Sequence, residues 1–169
     1  MRTPVLLSFA LLAATHATFA AEKLTANAAF NRLKQLAGEW KGNVTTPDGP
    51  AATVQYRLTS AGQTVMETLF PGTSHEMISM YHLDGEELVM THYCAMGNQP
   101  RMKLDAKIST ADEFHFAFAG GSNLKPAKDA HMHSGVMRFR GADKLESEWQ
   151  VFSEGKATGG NKFFLSRQP

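Results

Sequence analysis

Between Glu39 and Arg167 apolar and polar residues alternate in short runs rich in Val, Thr, Tyr, Phe and Met. Pro-Asp-Gly, Ala-Gly, Pro-Gly, Asp-Gly, Gly-Gly and Gly-Ala-Asp-Lys interrupt them. A period of two is the mark of a strand with one face buried, and such breaks are turn signals. The pattern predicts ten strands, over residues 39–46, 52–59, 63–70, 76–83, 86–95, 100–108, 112–119, 131–140, 144–153 and 159–167. Short connections favour antiparallel neighbours, and a long meander avoids exposed edges most simply by closing on itself. The expected fold is therefore all-β, an antiparallel up-and-down barrel of about ten strands, with a β-sandwich as the alternative.

Ahead of the strands, Ala29, Phe30, Leu33 and Leu36 recur at helical spacing. They predict one short helix over 26–36, with Asn27 as its N-cap and Gly38 just beyond its end. The only long connection, Gly120 to Ala130, is either a cover for the barrel mouth or a mobile loop.

The first twenty residues do not fit this scheme. Arg2, an apolar run from Val5 to Ala14 and the small-residue site Thr18-Phe19-Ala20 read as a secretory signal peptide over 1–20. Residues 21–169 would then be a single exported domain, periplasmic or secreted, with cleavage near Ala20. No cysteine follows the apolar run to anchor a lipid, and no later run has the roughly 18 apolar residues of a membrane span. The chain carries 17 Lys plus Arg against 16 Asp plus Glu, and loss of Arg2 would balance them. This balance offers nothing to nucleic acid. The expected partner is a small apolar or amphipathic ligand, and the expected state is a monomer or a homodimer.

Candidate chemistry concentrates in Thr91 to Arg101, which holds His92, the only cysteine, Cys94, the amides Asn98 and Gln99, and Arg101. In an extended strand Leu88, Met90, His92 and Cys94 share one face. On the eighth strand His131 and His133 share a face with Met137 and Phe139. If both faces turn inward, His92, Cys94, His131 and His133 converge across the barrel, a donor set suited to zinc or copper. Cys94 would alternatively be a nucleophile activated by a histidine, or simply a buried thiol. Arg101 would either clamp a carboxylate or phosphate at the mouth or join Lys103 and Asp105 on a solvated face. The interior face of the ninth strand stays open, between Glu146 and Glu148 on one side and Leu145, Ser147 and Trp149 on the other.

The stretch Leu36-Ala37-Gly38-Glu39-Trp40-Lys41-Gly42, a helix running into Gly-x-Trp, resembles the start of calycin-type barrels. Its ten strands look more like the fatty-acid-binding and nitrobindin shape, and like bacterial lipocalin-like domains of unknown function, than like eight-stranded lipocalins. The resemblance implies that Trp40 packs under Arg167 from the last strand and closes the barrel base. Nitrobindin-type proteins hold haem through a histidine near the C-terminus. This chain has no histidine after His133, which argues against haem.

Together these features point to an exported lipocalin-like domain that binds a small, partly apolar ligand inside the barrel. His92, Cys94, Asn98, Gln99, Arg101 and His133 would supply the polar contacts. The alternative is a zinc- or copper-dependent or cysteine-histidine enzyme using His92, Cys94, His131 and His133.

Overall fold

The computed structural model describes residues 23–169, so the expected signal peptide lies outside the described residues. Helix α1 spans Ala26–Lys34. Thr25, not Asn27, is its N-cap: the Thr25 hydroxyl accepts from Ala28 N–H at 3.1 Å, satisfying one of the donors that a helix start leaves open. Ala29, Phe30 and Leu33 form the buried stripe, while Arg32 and Lys34 in the last turn suit the negative end of the helix dipole.

Ten strands follow: β1 Gly38–Val44, β2 Ala51–Thr59, β3 Thr64–Leu69, β4 Met77–Asp84, β5 Glu87–Tyr93, β6 Gln99–Leu104, β7 Glu113–Ser122, β8 His131–Phe139, β9 Lys144–Ser153 and β10 Lys156–Arg167. Each pairs antiparallel with the next, and β10 returns to β1, closing the barrel and leaving no unpaired edge. No helix among the described residues is long and apolar enough to cross a membrane.

The two ends of this barrel differ. Helix α1 leads into β1 and therefore sits at the end that carries the β2–β3, β4–β5, β6–β7 and β8–β9 turns. Arg32 anchors it there, donating to the Gly141 carbonyl at 3.2 Å and lying 4.5 Å above the Phe139 ring. Trp40 and Arg167 are directly paired across β1 and β10. The Arg167 guanidinium lies 4.4 Å from the Trp40 ring and donates to the carbonyls of Gln35 at 2.6 Å and Ala37 at 2.8 Å. One side chain thus covers an indole face and satisfies carbonyls that the end of α1 leaves open. Trp40 Nε1 donates to the Leu36 carbonyl at 2.8 Å. Trp40 and Arg167 are thus in direct contact at this end of the barrel.

Packing is dense from this base to the middle of the barrel, where Tyr81 meets Phe116 at 5.8 Å and Phe114 meets Phe139 at 4.8 Å. Gly135 has a specific role in this layer. A Cβ there would come within 2.1 Å of the Trp149 indole, so only glycine lets that ring lie flat against β8. Register settles the open question on β9. Leu145, Ser147 and Trp149 are buried inside, while Glu148 is exposed and lies 3.5 Å from both Arg138 and Lys162.

Candidate functional site

The opposite end stays open. A cavity of about 550 Å³ enters the barrel there, beneath the β3–β4 and β5–β6 connections. Its wall is mainly apolar, with Leu69, Met77, Met132, Trp149, Val151 and Phe163, and Phe70 and Met96 near the mouth. The polar groups on it are Thr73, His75, His92, Cys94 and Asn161.

The β3–β4 loop is braced by hydrogen bonds within itself. Gly72 N–H donates to the Glu76 carboxylate at 2.6 Å, and the Thr73 hydroxyl donates to the Phe70 carbonyl at 2.9 Å. Phe70 itself adopts φ 53°, a left-handed conformation that costs a residue with a Cβ about 1 kcal/mol or more. Its ring is packed 5.8 Å from Phe163 on the cavity wall. The β5–β6 loop is a tight turn in which Cys94 N–H donates to the Asn98 carbonyl at 3.1 Å and Gly97 N–H to the Cys94 carbonyl at 2.9 Å. Gly97 has φ 84°, the positive value that its lack of a Cβ permits. β5 ends at Tyr93, yet His92 and Cys94 both reach the cavity.

His92 is buried at the cavity floor, with Nδ1 3.0 Å from the Ser79 hydroxyl oxygen. Burial pushes its pKa down to about 4, so the ring is neutral at ordinary pH. Below it lies a polar layer inside the barrel. Glu67 is 1% exposed and accepts from the Tyr56 hydroxyl at 2.6 Å and the Tyr81 hydroxyl at 2.9 Å. Burial raises the Glu67 pKa, opposed by the hydroxyls of Tyr56, Ser79 and Tyr81. Burial, followed by the neighbouring Glu67 charge, pushes both tyrosines well above the usual phenol range.

This layer is absent from the expectations above, although one signal for it existed. Glu67 stands two residues from Val65 and two from Leu69, so strand alternation puts it on their inward face.

The expected meeting of His92 and Cys94 with His131 and His133 does not occur. β8 carries a bulge between Met132 and Ser134: Met132 pairs with Val151 and Ser134 with Gln150, leaving His133 as the extra residue. One extra residue exchanges the faces on either side of it. Met132 therefore lines the cavity, while His131, paired with Phe152, and His133 are not on its wall. They form a separate aromatic cluster. His133 stacks on Phe152 at 3.8 Å and on Phe118 at 4.8 Å. His131 Nδ1–H donates to the Asp129 carbonyl at 2.8 Å, and its Nε2 lies 3.0 Å from His133 Nδ1. Desolvation, then the charge of His131, lowers the pKa of His133. No group of three or more His, Cys, Asp or Glu with metal-holding geometry occurs among the described residues, so the four-residue zinc or copper set is not assembled.

Asn98, Gln99 and Arg101 also lie off the cavity wall. Asn98 donates to the Ala130 carbonyl at 2.8 Å, tying the β5–β6 turn to the start of β8. Gln99 accepts from the Ser122 hydroxyl at 3.0 Å. Arg101 alternates with the inward Met102 and pairs outside with Asp84 at 2.7 Å. The physical reason is strand parity: Arg101 belongs with Lys103 on the solvated face, where Lys103 pairs with Glu87.

No protein-family model matches the chain, and no curated protein matches its sequence. The shape is that of a closed ten-stranded antiparallel barrel, consistent with a calycin-like barrel.

Proposed function

We propose that this chain, after export and removal of residues 1–20, binds a small, partly apolar ligand in the open end of its barrel, as a lipocalin-like domain. The observation that carries this reading is the cavity itself. About 550 Å³ of space, walled by Trp149, Phe163, Met77 and Met132 and floored by the neutral His92, lies above an otherwise densely packed barrel. An apolar cavity with a few polar groups at one end is the usual form of a small-molecule site. The left-handed Phe70 at the mouth supports it, since strain kept at a cavity rim is a common companion of binding function. The polar contacts of this reading reduce to His92 and Cys94 from the expected set, joined by Thr73, His75 and Asn161 at the rim.

Nile red, a neutral dye that brightens in apolar surroundings, tests the reading directly. The expected result is saturable binding of one dye per chain, lost in Val151→Trp, which fills the cavity. Non-saturable binding, or binding untouched by Val151→Trp, would contradict it.

A further inference from the structure

We propose that the β4–β5 side of this cavity binds one Cu(I) ion through Cys94 Sγ, His92 Nε2 and Met77 Sδ, with Ser79 holding the imidazole in place. This site goes beyond the apolar-ligand reading and does not depend on it.

The first ground is the set of side chains that the sheet brings together. On the paired strands β4 and β5, Ser79 stands opposite His92 and Ile78 opposite Tyr93. One residue further along this register Met77 falls level with Cys94, and both side chains lie on the cavity wall. Directly opposite side chains on one face start about 4.5–5.5 Å apart at Cβ, and His92 is two residues from Cys94, about 7 Å away at Cα. A thiol, an imidazole and a thioether thus share one stretch of wall. Cys94 is a free thiol and only half-buried. His92 is 1% exposed, and its one hydrogen-bond partner among the described residues is Ser79, at Nδ1. Nε2 is the nitrogen left for the cavity, since the ring forms part of its wall. The Ser79 hydroxyl can accept as well as donate, so a metal on Nε2 requires only the tautomer whose Nδ1–H points to Ser79. Burial keeps the ring neutral, so one nitrogen always carries a lone pair at pH 7.

The second ground is the kind of ion these donors suit. No Asp or Glu lies on the wall. Glu76, in the loop above, is exposed and accepts from Gly72 N–H, while Glu67, beneath the floor, accepts from Tyr56 and Tyr81. His75 is the one other titratable group on the wall; it is exposed at the rim and brings no negative charge. Thiolate and thioether are soft ligands that favour Cu(I), whereas Zn²⁺ fills its positions with thiolates, imidazoles and carboxylates. On binding, the Cys94 S–H bond breaks, the proton leaves to solvent, and the electron pair kept by sulfur forms the bond to Cu(I). No electron is transferred to or from the metal. Thiolate and monovalent ion cancel, so the bound pair adds no net charge to an apolar wall. A divalent ion would leave one positive charge there without a partner.

Anaerobic titration of Cu(I) into the mature chain against the chromogenic chelator bicinchoninate tests the site, with Zn²⁺ as the comparison ion. One Cu(I) per chain should be withdrawn from the chelator, and Zn²⁺ should bind at least about a hundredfold more weakly. Cys94→Ser should weaken Cu(I) binding by at least about a hundredfold, and Met77→Leu and Ser79→Ala by about tenfold each. Met90→Leu, a change of similar volume in the packed core, should leave it within about twofold. The methionine methyl spectrum of the unmodified chain gives a second readout that no variant's folding can disturb. The Met77 methyl should shift until one equivalent of Cu(I) is added, with Met90, Met102 and Met137 unmoved. Zn²⁺ binding as tightly as Cu(I) would overturn the soft-ion assignment. Cu(I) binding unchanged by Met77→Leu and Ser79→Ala, or a Met77 methyl that does not move, would overturn the three-donor site and leave only a reactive thiol. Failure to take Cu(I) from the chelator would overturn the proposal outright. Nile red binding is a separate measurement, so each of these failures leaves the apolar-ligand reading to stand or fall by itself.

Discussion

The two tryptophans occupy opposite parts of one barrel. At the base Trp40 is enclosed, its Nε1 bonded to Leu36 and its ring covered by Arg167, which also serves two carbonyls at the end of α1. Towards the mouth Trp149 leans on Gly135 with one face, borders open space, and keeps an Nε1–H without an acceptor. Nearby, Phe70 holds a left-handed backbone and His92 is desolvated. The base is where folding energy is collected. The mouth keeps an unpaired indole N–H and a strained backbone instead.

Denaturation of the two alanine variants should separate these roles most clearly. Trp40→Ala removes a fully packed indole and strands Arg167, so a loss of about 3–5 kcal/mol is expected. Trp149→Ala should cost less, because it removes a buried ring but breaks no side-chain hydrogen bond and no contact with a cation like those of Trp40. Equal losses by urea unfolding would erase the distinction between the ends.

Acid sensitivity gives the next largest effect. The His92 pKa falls from 6.5 in the unfolded chain to about 4 in the folded barrel, so the unfolded state binds the extra proton between those values. Stability should therefore drop as pH falls from 6.5 towards 4, by on the order of 3 kcal/mol for this group. Glu67 acts with the opposite sign, since its raised pKa makes its contribution decline as pH rises above 4.5. The difference between the unmodified chain and His92→Gln isolates the histidine. A difference that does not change with pH across this window would show that the ring is not desolvated.

Outside the barrel the effects should be small. Glu148→Gln breaks exposed pairs with Arg138 and Lys162, and a change below about 0.5 kcal/mol in urea unfolding is expected. A larger loss would mean that this outer network, rather than the base, carries stability.

The barrel was legible because its alternation is regular, its turns are marked by Gly, Pro and Asp, and the Gly-Glu-Trp start and Arg167 end are local signals. The site was legible only in part. His92 shares a face with Leu88 and Met90, and that parity held to the cavity floor. His131 and His133 were misplaced because a single bulged residue reverses every face before it, and bulges have no reliable local signature. Arg101 obeyed plain alternation with Met102, and the richness of its neighbourhood in polar side chains proved to be turn chemistry. Glu67 shows the converse. Its inward parity is readable, but its tyrosine partners come from β2 and β4, a contact that exists only after strand pairing.

Methionine places a reporter at each level of the barrel, and ¹³C-methyl methionine spectra recorded during an octanol titration test the central claim most directly. Met77, Met96 and Met132 line the cavity, whereas Met90, Met102 and Met137 are fully buried in the packed core. Saturable shifts confined to the first three are the predicted result. Shifts of Met90, Met102 and Met137 with the cavity methyls unmoved, or no saturable shift at all, would contradict a ligand site at the mouth.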